Sequence, residues 1–117
     1  MVLQLDLSNN ELCGINQYGQ GTYTAEGITA IAYALRVNGG LTSINLSGNQ
    51  LCGIWTNDYG DHEGTYTAEG ITAIADALRV NGALTECNLQ RNPCIGDEGE
   101  ALTWKAMQGK VGFKLRI

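Results

Sequence analysis

A cluster of chemically active groups surrounds the single histidine of the chain. Asp58, Asp61, His62 and Glu63 lie within one six-residue stretch. Carboxylate oxygens are the ligands that Ca²⁺ and Mg²⁺ prefer, so a divalent-cation site is one interpretation. The stretch lacks the ligand spacing and the fixed glycine of a calcium loop, which favours a solvated acidic loop. We therefore predict no metal site and no cofactor.

Patterns typical of catalysis are missing from the rest of the sequence. The chain contains no GxSxG, P-loop or HExxH motif. Its glycines cluster at turns and helix ends, where no phosphate is needed to explain them. The net charge of −5 argues against a nucleic-acid groove, which needs a basic surface. We predict that the protein is not an enzyme.

A long internal repeat organises the chain. GTYTAEGITAIA-ALRVNG occurs at residues 21–39 and again at 64–82, and only Tyr33 against Asp76 differs among the 19 positions. Repeats of this length are typical of folds in which similar units lie side by side and share one core. Any functional residue is therefore positioned by a repeating unit.

A shorter pattern precedes each helical segment. Val2-x-x-Leu5-x-Leu7-x-x-Asn10-x-Leu12 returns in two further copies, whose asparagines are Asn49 and Asn92. The asparagines are 39 and then 43 residues apart, because four extra residues lie between Cys52 and Gly64. Alternating apolar residues predict a short strand in each copy.

Helical periodicity marks the long repeat. An inner stripe is predicted, with Ile28 flanking it, Thr24 as N-cap and the variable position 33/76 facing water. The stripe consists of Gly27, Ala30, Ile31, Ala34 and Leu35. The third unit carries a matching stripe at Gly99, Leu102, Thr103, Ala106 and Met107, followed by an alternating terminal strand over Val111–Ile117. The patterns together predict four strands and three helices.

The three copies resemble leucine-rich repeat proteins of the ribonuclease-inhibitor type, in which LxxLxLxxNxL is followed by a long helix. The resemblance implies an α/β solenoid with parallel strands on a concave face and helices on a convex face. One domain over 1–117 is expected, with units of about 1–39, 40–82 and 83–117, the last acting as a C-terminal cap. It also implies that Asn10, Asn49 and Asn92 form an internal ladder bonded to backbone groups.

The four cysteines are interpreted from their places in the repeat. Cys87 and Cys94 replace aliphatic residues of the earlier copies, which predicts burial. Cys13 and Cys52 are equivalent residues of adjacent units, and the spacing of neighbouring strands is compatible with a disulfide. Reduced thiols are favoured, because disulfides are rare in the cytosol. Zinc-type CxxC spacing is absent.

Two surfaces compete as binding sites. The loop edge carries aromatic residues that favour protein contacts, with Trp55, Tyr59 and Tyr18 as the candidates. Tyr23 and Tyr66 are interpreted instead as packing over the helix entry. The concave face is polar and has no aromatic anchor. Its candidates are Asp6, Asn45, Glu86, Asn88 and Arg91, beside strand residues such as Ser47.

The function expected from these features is that of a non-catalytic protein–protein interaction module, a small subunit or scaffold element of a larger assembly. A protein partner is expected, and because only Met1 precedes Val2, the N-terminal edge strand is expected to be covered by another subunit, by a second copy of this chain or by a further segment. The alternative, suggested by longer family members, is an inhibitor or regulator of a nuclease or small GTPase. No nucleic acid and no membrane insertion are expected. The expected location is the cytoplasm, with an organelle left open.

The basic residues concentrate near the C-terminus, where Lys105, Lys110, Lys114 and Arg116 follow the last acidic residue, Glu100. One interpretation is a tail that binds an anion or a partner. The favoured one is that these charges keep an exposed edge strand from aggregating.

Overall fold

The computed structural model describes residues 3–117 as a mixed α/β fold with three helices. Val2, the first apolar residue of the strand motif, and Met1 lie outside the described residues. The elements in chain order are β1 (Gln4–Asp6), α1 (Glu26–Val37), β2 (Ser43–Asn45), β3 (Ile54–Thr56), β4 (His62–Gly64), α2 (Glu69–Val80), β5 (Glu86–Asn88), α3 (Gly96–Ala106) and β6 (Lys114–Arg116).

Four of the strands form one parallel sheet in the order β1-β2-β5-β6. The register aligns Leu5 with Ile44, Ile44 with Cys87 and Cys87 with Leu115. The helices follow the same order, since α1 packs on α2 and α2 on α3. The predicted three helices and four sheet strands are confirmed, and each unit adds one strand and one helix beside the previous pair.

An antiparallel hairpin was not predicted. β3 pairs with β4, and Trp55 lies opposite Glu63. The first unit has only an isolated bridge between Ile15 and Gly21 at the corresponding place. The extra residues of the second unit therefore lengthen a hairpin that the first unit has in its shortest form.

The predicted inner stripe of the repeat is buried in α2, at Gly70, Ile74, Ala77 and Leu78, but only partly in α1. Ile28, Ala32 and Leu35 are buried, whereas Gly27, Ala30 and Ala34 are exposed. The small residues lie on the flank of the helix, which only a neighbouring helix can cover.

The helix start also differs slightly from the prediction. α1 begins at Glu26 with Ala25 preceding it, and the Thr24 hydroxyl accepts a hydrogen bond from the Glu26 N–H at 3.2 Å. Thr67 and Glu69 repeat this arrangement in α2 at 3.3 Å. Threonine therefore stabilises the first turn from one position further out than predicted.

The C-terminal strand is shorter than the alternating pattern indicated. β6 covers Lys114–Arg116, and Val111 is almost fully exposed. Phe113, Leu115 and Ile117 pack against the core at partial burial. None of the three helices described in residues 3–117 has the length and hydrophobicity required to cross a membrane.

Candidate interaction site

Two turns of the same construction lie at the hairpin tips. In the first, Oδ1 of Asn16 accepts hydrogen bonds from the N–H groups of Tyr18 at 2.9 Å and Gln20 at 3.0 Å. In the second, Oδ1 of Asn57 accepts from the residues two and four positions further on, at 2.9 and 3.0 Å. Each asparagine fixes the turn, so Tyr18 and Tyr59 are carried at equivalent places.

Trp55 lies between these turns. Its indole packs so closely on Gly19 that a Cβ at that position would overlap the ring. Gly19 also has φ +78°, a conformation that favours glycine. The indole thereby braces the second hairpin against the first.

The three predicted aromatic residues come together at one shallow groove, which we call the hairpin edge. It is lined by Tyr18, Trp55, Thr56, Asn57, Asp58 and Tyr59. Tyr18 is 63% exposed and Tyr59 is 90% exposed, whereas Trp55 is partly buried. Tyr59 is thus almost entirely exposed and Tyr18 is largely exposed, both on turns that hydrogen bonds hold in place.

Sequence reasoning missed the equivalence of the two turns. The segments Asn-Gln-Tyr-Gly-Gln at 16–20 and Asn-Asp-Tyr-Gly-Asp at 57–61 share three residues. The two segments are 41 residues apart, whereas the helical repeats that follow them are 43 apart. Two of the four extra residues precede the second turn segment and two follow it. A search that allowed this shift would have found them.

The acidic segment contributes to the hairpin. Nδ1 of His62 lies 3.2 Å from the Thr56 hydroxyl, and Glu63 accepts a hydrogen bond from the Asn57 side chain at 3.2 Å. The first contact joins β3 to β4, and the second joins the residue that follows β3 to β4. Within residues 3–117, no three His, Cys, Asp or Glu side chains are grouped so that they could hold a metal ion.

Three of the candidates that were predicted on the concave face stabilise the local backbone. Asp6, Asn45 and Asn88 align across the sheet. The side-chain oxygen of each accepts the N–H two residues further on, at 2.9, 3.0 and 2.9 Å. The Ser8 hydroxyl, and then its N–H, hold the pKa of Asp6 below its usual value. These oxygens stabilise the end of each strand.

The remaining strand-face residues differ in position. Glu86 forms an ion pair with Arg116 at 3.1 Å on the neighbouring strand. Arg91 lies beyond β5, in the following turn, with φ +57°. Ser47, expected on this face, is fully buried, and that expectation was wrong.

Two asparagines bind the turns of adjacent units. Asn49 Oδ1 accepts from the Asn10 N–H at 2.9 Å, and its amide donates to Leu7 O at 2.9 Å. Asn92 repeats both contacts toward the second unit, at 3.0 Å to the Asn49 N–H and 3.1 Å to Leu46 O. Asn10 is exposed, and its amide donates to Ser8 O of its own unit at 3.1 Å.

All four cysteines are free, and three of them are buried. Burial raises the pKa of Cys13, that of Cys52 to about 11 and that of Cys87 to about 12. Cys94 is exposed, so the prediction of its burial was wrong. The third unit enters its helix at Gly96 without a hairpin, which leaves the turn around Cys94 uncovered.

The repeated tyrosines before the helices also differ in environment. Tyr23 is partly buried, and its hydroxyl donates to Leu51 O at 2.7 Å in the next unit. Tyr66 is 45% exposed. Tyr23 therefore joins neighbouring units in addition to packing at its own helix entry.

Comparison of the chain with models of known protein families and with curated protein sequences finds no match.

Proposed function

We propose that the chain is a short leucine-rich repeat solenoid that acts as a non-catalytic protein–protein interaction module. The parallel sheet, the helix that follows each strand and the asparagines at the turns support this architecture. In it, the strands line the concave face and the helices the convex face. The role proposed for the chain is that of a small subunit or scaffold element.

The hairpin edge carries the proposal. Tyrosine and tryptophan are enriched among residues that dominate binding energy, and a tyrosine ring offers both an apolar face and a hydroxyl. Tyr18 and Tyr59 are held by fixed turns on either side of Trp55. Little ordering of the backbone is then needed on binding, which favours affinity.

The test compares proteins captured from a native extract by the wild-type chain and by Tyr18→Ala/Tyr59→Ala. A partner retained by the wild-type chain and lost by the double variant is expected. Tyr33→Asp is the matched control, because Tyr33 is 72% exposed on α1, away from the hairpins, and the second unit has Asp76 there. Equal capture by all three chains would remove the hairpin edge as the binding surface.

A further inference from the structure

A set of positions is buried in the second unit and exposed in the first. Leu5 is 41% exposed, whereas its counterpart Ile44 is 1% exposed. Ala34 is exposed and Ala77 is fully buried, although the helices around them are nearly identical. We call Leu5, Gly27, Ala30, Ala34 and the outer edge of β1 the N-terminal rim. Within residues 3–117, no helix or strand packs over it.

The residues equivalent to the rim in the second and third units are covered by the preceding unit, and their contacts show what such a surface binds. A Cβ on Gly70 would lie 3.3 Å from the Ile28 side chain and 3.2 Å from the Tyr23 hydroxyl, both in the preceding unit. A Cβ on Gly99 would likewise lie 3.6 Å from Ile71. In both interfaces, a glycine in the first turn of a helix lies against an isoleucine of the previous helix.

Gly27 has the same geometry as Gly70. A Cβ on it would lie 2.5 Å from Leu12 O, and one on Gly70 would lie 2.7 Å from Leu51 O. Leu51 O accepts the Tyr23 hydroxyl of the preceding unit. Gly27 and Leu12 O therefore repeat the arrangement that receives an isoleucine and a tyrosine hydroxyl one unit further on.

Asn38, which follows α1, also has the same arrangement as its counterpart Asn81, which follows α2. The Asn81 amide donates to Leu35 O of the preceding helix at 2.6 Å, while its Oδ1 caps its own turn. Asn38 caps the corresponding turn with its Oδ1 at 2.7 Å to the Leu41 N–H. Asn38 therefore holds the orientation in which Asn81 binds the carbonyl of a preceding helix.

The outer edge of β1 also resembles the edge of β2 that binds β1. The N–H groups of Leu7 and Asn9 donate at 2.9 Å to Asn45 O and Ser47 O of the second unit. The counterparts of these acceptors in the first unit are Asp6 and Ser8. In a parallel sheet, alternate residues bond to opposite neighbours. The carbonyls of Asp6 and Ser8 thus face the outer edge of β1, where a strand in the same direction would donate to them.

We propose that the N-terminal rim binds a strand–turn–helix unit of this chain's own sequence type, carried by a partner protein. The unit has an isoleucine at the place of Ile28, which enters beside Gly27, and a tyrosine at the place of Tyr23, which donates to Leu12 O. It adds a parallel strand to β1 and a helix to α1. This inference rests on the proposed interaction role and specifies the partner's chemistry.

A second copy of this chain is the less suitable occupant. Its C-terminal unit has Glu100 after Gly99, where the other two units have Ile28 and Ile71. Docking that unit on the rim would bring an exposed carboxylate to the place of an aliphatic side chain, at a desolvation cost. The outer strand of that unit also carries Lys114 and Arg116.

The experiment joins one more copy of residues 40–82 directly before Met1, which keeps the repeat register because Met1 then takes the place of Gly40. We expect the urea midpoint of the extended chain to rise and amide exchange in α1 to slow by about tenfold or more in one cooperative transition. The proposal is overturned if the added copy unfolds separately and exchange in α1 stays unchanged.

Matched variants separate this test from that of the hairpin edge. Ala34→Lys lies on the exposed rim, so it should leave the original chain unchanged but abolish the gain in the extended chain. Tyr18→Ala/Tyr59→Ala should preserve the rise in the urea midpoint of the extended chain. A loss of partner binding by this double variant would then test the hairpin edge alone. Sedimentation of the original chain should show a monomer, and a dimer that Ala34→Lys dissociates would overturn the proposal in favour of a second copy.

Discussion

α1 and α2 have sequences that differ at one position and environments that differ at many. Ile28 and Ile71 are fully buried in both, because each lies against a helix of the following unit. Ala34 is exposed and Ala77 is fully buried, because only α2 has a helix on that flank. The comparison shows that a residue's burial in a repeat fold depends on its neighbouring unit as well as on its own periodicity. The stability of such folds is correspondingly divided between units and interfaces.

The largest expected effect on stability is the difference between lysine substitutions at Ala77 and at Ala34. Ala77→Lys would bury an ammonium group without a partner, and we expect it to lower the free energy of unfolding by about 3 kcal/mol or more. Ala34→Lys changes an exposed residue and should stay within about 0.5 kcal/mol of the wild type. Urea denaturation measures both. Similar losses for the two variants would contradict the difference in burial.

The asparagines extend the comparison to the turns. Asn49→Ala removes the side-chain hydrogen bonds to Leu7 O and to the N–H groups of Asn10 and Leu12 in the first unit, all of them at least partly buried contacts. We expect a loss of about 3 kcal/mol, given about 1–3 kcal/mol for each unsatisfied buried group. Asn10→Ala should cost under about 1 kcal/mol, because its side chain is exposed. Thermal unfolding of the pair checks this, and an equal loss would show that burial does not distinguish them.

A smaller effect follows from the buried thiols. Burial raises the pKa of Cys52 from 9.0 to about 11, so the folded protein retains a proton that the unfolded chain releases above pH 9. The stabilisation is complete below pH 9 and is lost as pH rises through 11. We expect stability to fall by about 1 kcal/mol or more across this range, and Cys52→Ala to reduce the slope. Cys94→Ala, at an exposed position, serves as the control. Equal slopes in all three chains would contradict the assignment.

Much of the fold followed from the sequence, because strand and helix periods are local. Leu5-x-Leu7 indicated β1, and the stripe containing Gly99 and Thr103 placed α3 correctly. The exposure of part of the predicted α1 stripe was missed for a physical reason. Gly27 and Ala34 follow the same helical period as the core residues, and the sequence does not reveal that their flank is covered only in the second unit.

The candidate site was predicted in composition but not in geometry. The growth of the second loop drew attention to Trp55 and Tyr59, which lie with Tyr18 at one edge. The hairpin itself was missed because β3 and β4 have only three residues each and lack clear alternation. The role of Asp6 was missed as well, since a side chain that caps its own turn has the same sequence signature as one that faces a partner.

Residue-resolved amide exchange of the unmodified chain tests the central claim most directly. Residues 26–37 and 69–80 share their sequence except at position 33/76, so their intrinsic exchange rates are nearly matched. Differences in protection therefore report the environment. The account predicts greater protection throughout the middle of α2, because it packs between two helices, and less in α1, whose flank faces solvent. Equal protection in the two helices, or greater protection in α1, would contradict it.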